Sequence, residues 1–125
     1  MEVEPGVVRL SYPKNEVSKL YLSVGTILVL RHNERDHAGI FIFHSENTQV
    51  ENIKLHHTYG LSILSQYSKN VVFDNVHIIP NASKGRLLSV HDDGFHFMGC
   101  SDLLKIENCS WAGLMDDPII SSVKR

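Results

Sequence analysis

Residues 94–108 read GFHFMGCSDLLKIEN, and the stretches 39–52 (GIFIFHSENTQVEN) and 60–75 (GLSILSQYSKNVVFDN) repeat this pattern. Each stretch begins with glycine and reaches asparagine after 14, 13 and 15 residues, respectively. β-Branched and aromatic residues dominate the short alternating runs between them, which favours strands over helices. A repeat of about 20 to 25 residues made of short strands is typical of β-solenoids. The sequence therefore predicts an all-β fold, a right-handed single-stranded parallel β-helix (solenoid) of about three to four coils.

Stacked coils would place equivalent residues above one another, about 4.8 Å apart. Alignment on the glycines sets Ile40 against Leu61. It also aligns the closing asparagines, whose side chains can hold a left-handed backbone and hydrogen-bond to the next coil. The predicted ladder consists of Asn52, Asn75 and Asn108. An antiparallel sandwich is the alternative, but it would not need the same turn residue at one register three times.

The repeats divide the chain into three predicted regions: N-terminal strands and an entry coil (1–38), β-helix coils (39–120) and a tail (121–125). The second unit is longer than its neighbours, and the excess lies in residues 80–90. Solenoids place such insertions on one face, which is often the binding face. This loop carries Lys84 and Arg86, for which we expect ligand contacts. A solvated surface loop with incidental charges is the alternative.

Two pairs of aspartates stand at equivalent points of successive units. Asp92-Asp93 directly precedes Gly94, and Asp116-Asp117 directly precedes Pro118. Stacked coils would bring these four carboxylates to one turn. Glycoside hydrolysis needs such a set, with one carboxyl as proton donor and another as base or nucleophile. A calcium site and aspartates that only shape turns are the two alternatives.

Histidines flank the first aspartate pair. His91 adjoins it, and His96 is expected to point outward from the following strand, so both could contact sugar hydroxyls; ordinary surface or turn histidines are the alternative. No spacing of histidine and cysteine suits zinc, and the two cysteines are expected to be small buried residues. We therefore predict no metal and no cofactor. Trp111 is predicted to be a core residue rather than a platform for a sugar.

Composition excludes other classes of partner. The net charge is −2 with neutral histidines, which gives no electrostatic signature of nucleic-acid binding. No apolar stretch approaches the roughly 20 residues that span a bilayer, so no membrane partner is predicted. The acidic first residues, MEVEP, contain no apolar core of a secretory signal. Localisation stays open on these grounds.

Four stretches within residues 38–119 resemble the bacterial α-1,3-galactosidases, which remove the terminal galactose of the blood-group-B antigen and related galactosides. They are residues 60–68 (GLSILSQYS), 79–86 (IPNASKGR), 91–97 (HDDGFHF) and 114–119 (LMDDPI). The two Asp-Asp motifs and the Lys-Gly-Arg loop together make the resemblance fairly specific. It covers roughly two-thirds of the chain.

The resemblance implies a β-helix glycoside hydrolase, periplasmic or secreted, that inverts anomeric configuration without a metal. Its partner would be an oligosaccharide with a terminal α-galactose. By motif match, Asp116 would be the general acid, and Asp93 with Asp117 would hold the water as general base. The expected substrate-binding residues are then Asp92, His91, His96, Lys84, Arg86 and Gln66.

This sequence departs from the family at its end. Enzymes of the family are several-fold longer, and they continue from the second aspartate pair into a coil with asparagine where this chain has Ile120. We therefore expect a truncated piece of a parent enzyme, whose exposed coil end favours self-association. Whether the piece is itself active is left open.

Two other functions are also open: another β-helix polysaccharide hydrolase, and a non-catalytic carbohydrate-binding or structural solenoid. An exo-acting enzyme should have its groove blocked at one end, and the insertion at residues 80–90 is the natural blocker.

Overall fold

The computed structural model describes residues 2–11, 23–29 and 37–122. The chain forms two compact units, Met1–Leu30 and Arg31–Arg125.

In the first unit, β1 (Glu2–Glu4) pairs antiparallel with β2 (Val7–Val8). The turn between them contains Gly6 at φ 76°, a conformation that glycine adopts without steric cost. Residues 23–29 contain a turn and no strand.

The second unit consists of short strands. They are β3 (Ile40–Phe43), β4 (Glu46–Leu55), β5 (Ile63–Gln66), β6 (Lys69–Ile78), β7 (Phe95–Met98), β8 (Ser101–Glu107), β9 (Ser110–Trp111) and β10 (Ile119–Ser122). A single 3-10 turn, Ala82–Lys84, interrupts them in the part of the chain that is described. Within that same part, no helix has the length and apolarity needed to cross a bilayer. β10 extends across the predicted boundary between residues 120 and 121.

Strand pairing in the second unit is parallel throughout the described residues, and it joins equivalent strands of successive repeats. One sheet has the order β3-β5-β7-β10, and the other has the order β4-β6-β8, with β9 also paired to β6. A third row consists of two isolated parallel bridges that join Thr58, Val90 and Leu114. The predicted all-β fold with parallel sheets is confirmed, and antiparallel pairing of the kind a sandwich needs is absent from this unit as described.

The register of the first sheet differs from the predicted one. Ile40 lies opposite Ile63, where the alignment on glycines set it against Leu61. That alignment was wrong by two residues in the second unit. Ser62, rather than Gly60, stands at the start of that unit.

At Gly39 and Gly94 the start position has no room for a side chain. A Cβ at Gly39 would lie 2.5 Å from Thr58 Cγ2, and one at Gly94 would lie 2.5 Å from the Pro118 carbonyl oxygen. In the second unit the position is held by Ser62, which is fully buried. Glycine therefore marks the start of the first and third units, whereas the second unit accommodates the Cβ of a serine at this position.

The corrected start makes the repeat more regular. The distance from Ser62 to Asn75 is 13 residues, as it is from the start of the first unit to its asparagine. The third unit has one more residue, and this is accommodated by an irregular step in the pairing, where Lys69 lies opposite Ser101 but Val71 lies opposite Leu104. The extra residue is thus a local bulge.

The predicted asparagine turns are present. Asn52, Asn75 and Asn108 have φ angles of 57°, 55° and 52°, in the left-handed region. Asn75 Nδ2 donates to Asn52 Oδ1 at 2.7 Å, which is the expected ladder contact. Asn108 donates instead to Asp74 Oδ1 at 2.8 Å. The ladder therefore joins the first two repeats, and the third is attached through an aspartate.

Two further columns of left-handed residues were not predicted. Asn70 Nδ2 donates to Asn47 Oδ1 at 3.1 Å, so these two residues form a second asparagine ladder. The other column begins with His44, whose ring stacks on that of Tyr67 with centroids 5.4 Å apart. The columns are Asn47, Asn70 and Asp102, and His44, Tyr67 and Gly99.

The core lies between the inner faces of the two parallel sheets. Phe73 of β6 contacts Phe95 and Phe97 of β7, with ring centroids 5.2 and 6.0 Å apart. All three rings are buried, and each such side chain stabilises the fold by about 1.5–3 kcal/mol. Cys100 is fully buried, as predicted, while Cys109 is only partly so.

Trp111 meets its predicted position in part. It lies opposite Ile78, and its ring centroid is 6.2 Å from that of Phe95. However, 39% of the residue is exposed, so it closes the margin of the core rather than filling it.

Candidate functional site

The aspartates lie where the row of bridges runs into the sheet β3-β5-β7-β10. Backbone hydrogen bonds keep the register through this turn. The amide of Gly94 donates to the Asp117 carbonyl at 3.0 Å, and the amide of Ser62 donates to the Asp93 carbonyl at 2.9 Å. Asp93 therefore stands opposite Asp117 along the backbone, and the predicted stacking of the two aspartate pairs is confirmed.

Three of the four carboxylates form a compact group. Asp92, Asp93 and Asp116 each place a carboxylate oxygen within 4.8 Å of the others, and we call these residues the acidic cluster. Asp92 and Asp93 are buried, whereas Asp116 is exposed. Asp117 is also exposed, and its carboxylate is outside this group. Its amide donates to Asp116 Oδ1 at 3.1 Å.

His96 contacts the acidic cluster directly. Its Nδ1 lies 2.8 Å from Asp93 Oδ2, and the two side chains are 18% and 4% exposed. Alternation with the buried Phe95 and Phe97 directs His96 outward, as predicted. A histidine Nδ1–H can donate to a carboxylate in the neutral as well as the charged ring. The contact therefore orients the Asp93 carboxylate in either state.

A second group of side chains is connected to the acidic cluster through His91, which directly precedes Asp92 in the chain. The rings of His57, Tyr59 and His91 contact one another with centroids 5.4 to 6.3 Å apart, and we call them the ring cluster. His91 was predicted as a substrate-binding residue, but His57 and Tyr59 were not among the predicted site residues. The bridge between Thr58 and Val90 sets Tyr59 opposite His91. The sequence could have indicated this pairing only with the correct register for the second unit.

The insertion reaches the ring cluster through one residue. Arg86 Nη1 lies 3.3 Å from His57 Nδ1. His57 is exposed by surface area, yet partial desolvation lowers the pKa of its ring below the ordinary value, and the charges of Arg86 and His91 lower that pKa further. The structure thus brings together Arg86 and His91 among the predicted residues.

Two predicted residues lie away from these groups. Lys84 is on the exposed 3-10 turn, which Gly85 closes at φ 65°. Gln66 ends β5 opposite Met98, and its Nε2 lies 3.4 Å from the Met98 sulfur.

The arrangement suits more than one chemistry. Carboxylates that differ in burial and lie this close can divide the roles of proton donor and acceptor. The same three oxygens could also hold a hard cation such as calcium.

Comparisons with known proteins identify relatives of the chain. No family model matches it. Over 118 residues, 94% of the chain, it is 71% identical to Alpha-1,3-galactosidase B of Bacteroides thetaiotaomicron and covers 19% of that protein. It is 37% identical to Alpha-1,3-galactosidase A of Bacteroides fragilis over 118 residues, again 94% of the chain and 19% of the relative.

A third relative is Alpha-1,3-galactosidase B of Parabacteroides distasonis, with 32% identity over 120 residues, 95% of the chain and 19% of the relative. The predicted resemblance to the α-1,3-galactosidases, as a short piece, is confirmed. The chain spans about a fifth of the length of the curated relatives it matches.

Proposed function

We propose that this chain, a homologue of the bacterial α-1,3-galactosidases, is the catalytic segment of a glycoside hydrolase that removes terminal α-1,3-linked galactose from an oligosaccharide. The observation that carries the proposal is the convergence of carboxylates from two successive repeats, two of them buried. The named activity of the relatives supplies the substrate class.

The proposal includes a right-handed parallel β-helix. Parallel strands of successive repeats lie in two sheets and a row of bridges, so each repeat contributes to three faces. The crossover connection between two parallel strands of one sheet is right-handed in about 98% of cases. β3 and β10 are the edge strands of their sheet, and such edges favour association between copies of the chain.

The proposed reaction uses the chain's own carboxylates. Asp116 donates its proton to the glycosidic oxygen as the bond to C1 of galactose breaks. Asp93 and Asp117 hold the water that attacks C1, and Asp93 accepts its proton. The hydrogen bond from His96 keeps the Asp93 carboxylate oriented during this transfer, and buried Asp92 adjoins both reacting groups.

Inversion of configuration is part of the proposal on the strength of the family resemblance alone. Carboxyl groups are about 6.5–9.5 Å apart in inverting enzymes and about 5–5.5 Å apart in retaining ones. The nearest oxygens of the acidic cluster lie within 4.8 Å, which is closer to the retaining separation. The anomer of the first product, read by proton NMR, decides the point: β-galactose supports inversion and α-galactose refutes it.

The test is hydrolysis of a Gal-α-1,3-Gal disaccharide. We would assay the chain itself, and the Bacteroides thetaiotaomicron relative with its matching segment replaced by this chain. Asp93→Asn and Asp116→Asn should each lower kcat by a factor of about 10² to 10⁴. Asp102→Asn is the matched control, because Asp102 is exposed at a left-handed turn that asparagine also favours.

Two outcomes would refute the proposal. One is hydrolysis that survives both cluster substitutions unchanged. The other is a hybrid that folds, as judged by its thermal transition, but releases no galactose.

A further inference from the structure

We propose that the ring cluster is the platform for the terminal galactose, with Tyr59 as the ring on which the sugar stacks. The inference rests on the proposed function and deepens it. It assigns the sugar-binding role to Tyr59 and His57, which neither the sequence motifs nor the names of the relatives single out.

The ring of Tyr59 is held in place and remains accessible. Its centroid is 5.4 Å from that of His57 at an interplanar angle of 73°, and 6.2 Å from that of His91 at 45°. Tyr59 is nevertheless 49% exposed. A large, rigid aromatic face that is supported from its sides is suited to the apolar face of a sugar ring, while nearby polar groups meet the hydroxyls.

The register places this platform directly beside the reacting groups. The bridge from Thr58 to Val90 sets Tyr59 opposite His91, and the bridge onward to Leu114 continues the row. The next residue after His91 is Asp92 of the acidic cluster. Consecutive Cα atoms are about 3.8 Å apart, so a sugar unit on Tyr59 is expected to lie close to the carboxylates.

The insertion contacts the platform through Arg86. Arg86 donates to His57 Nδ1 at 3.3 Å. Because a guanidinium has no acceptor, His57 Nδ1 must accept, which makes this ring neutral with its proton on Nε2. Arg86 thus contacts the ring cluster, and His91 of that cluster directly precedes Asp92 in the chain. A loop in contact with the platform is expected to limit the length of the sugar chain it holds, which suits a chain-terminal galactose.

The decisive measurement is equilibrium binding of methyl α-D-galactoside to the chain and to the hybrid protein by saturation-transfer NMR titration. Tyr59→Ala should weaken binding by about tenfold, as expected for loss of one aromatic contact. Tyr59→Phe should restore it to within about threefold, because the ring face is kept. Phe43→Ala is the control, since Phe43 is also 49% exposed but lies on β3.

Hydrolysis locates the platform relative to the bond that is cleaved. α-Galactosyl fluoride has no second sugar, so loss of a galactose platform should lower kcat/KM for the fluoride and for the disaccharide by the same factor. A Tyr59→Ala defect confined to the disaccharide would place the ring cluster on the leaving-group side and overturn the inference. So would unchanged binding of methyl α-D-galactoside.

The two proposals fail separately. A wild-type hybrid that binds methyl α-D-galactoside through Tyr59 but cleaves neither substrate would refute the proposed hydrolase activity and support the proposed platform. A hybrid that cleaves both substrates equally well with tyrosine or alanine at position 59 would refute the platform and support the hydrolase.

Discussion

His96 and Asp93 are joined across the start of β7 by a contact of 2.8 Å between Nδ1 and Oδ2. The histidine is fixed by the strand, because its neighbours Phe95 and Phe97 are anchored in the core. The carboxylate belongs to the acidic cluster. The strand geometry of β7 is thus transmitted to the orientation of a reacting group.

Replacement of His96 by leucine should therefore impair catalysis more than binding. We expect His96→Leu to lower kcat by up to about 100-fold, because a misplacement of a reacting group by about 1 Å costs about that much, with a smaller change in KM. His77→Leu is the control, because His77 is also hydrogen-bonded on an outer strand face, to Ser110. Equal losses in the two variants would contradict the positioning role.

A buried serine offers a stability prediction. The Ser65 hydroxyl is buried and has no hydrogen-bond partner among the described residues. An unsatisfied buried polar group costs about 1–3 kcal/mol, so Ser65→Ala should leave the free energy of unfolding unchanged or raise it by about 1 kcal/mol, as measured by urea denaturation.

Ser68 provides the matched control. Its Oγ donates to the Gln66 carbonyl at 2.9 Å and accepts from the Ser45 amide at 3.1 Å. Ser68→Ala should lower the free energy of unfolding by about 1 kcal/mol. A larger loss for Ser65→Ala than for Ser68→Ala would show that the Ser65 hydroxyl has a partner.

The fold was predictable as far as local chemistry determined it. The left-handed turns at Asn52 and Asn75 follow from the side chain of asparagine itself. The start of the second unit is not predictable from glycine alone, because the structure places Ser62 rather than Gly60 at that position. The size of the side chain that a position can hold depends on the neighbouring coil, so it cannot be read from the local sequence.

The site was predictable only where its residues form a motif. The aspartate pairs stand out because they recur, and stacking then brings Asp93 opposite Asp117. That Asp92 joins the acidic cluster while the Asp117 carboxylate lies outside it depends on turn geometry that the sequence does not give. Tyr59 belongs to no such motif, since its partner His91 comes from the next repeat.

Arg86 should control the protonation of His57. Burial lowers the pKa of His57, and the charges of Arg86 and His91 lower it further, so Arg86→Gln should move that pKa upward toward about 6.5. Proton–carbon NMR of the ring during a pH titration measures this directly. Lys105→Gln is the control, because Lys105 lies on β8 and is paired with Glu107. A His57 pKa that stays unchanged in Arg86→Gln would show that the charge of Arg86 does not act on the ring cluster.

The same shift links stability to pH. A folded-state pKa below the unfolded value means that the unfolded chain binds the proton more readily. The contribution of His57 is therefore fully present above about pH 6.5 and is lost as the pH falls toward the lowered folded-state value. Arg86→Gln should make this loss smaller, as seen in melting temperatures measured across that range.

Removal of divalent cations should not affect hydrolysis. The proposed reaction moves protons between carboxylates, water and the glycosidic oxygen, and it needs no cation at the acidic cluster. Activity in EDTA should equal activity in added calcium, and calcium should not raise the melting temperature. A calcium-dependent rise that disappears in Asp92→Asn would assign the cluster to a cation instead.

Gly94 links the stacking of the repeats to the chemistry of the site. It lies between Asp93 and the core residue Phe95, and a Cβ there would approach the Pro118 carbonyl oxygen to 2.5 Å. Gly94→Ala should therefore push the turn that carries Asp116 away from Asp93. We expect a loss of stability of about 1–3 kcal/mol, as for other overpacked sites, together with a fall in kcat of at least tenfold, because small misplacements of reacting groups are costly.

The control for Gly94→Ala separates the clash from the general effect of replacing glycine. Gly6→Ala meets no atom within 4 Å but has φ 76°, so it should cost only the backbone strain of about 1–2 kcal/mol and leave hydrolysis unchanged. Urea denaturation and the disaccharide assay measure both variants. If Gly94→Ala loses stability but keeps full activity, the acidic cluster does not depend on the close contact of the two turns, and the link between register and catalysis is broken.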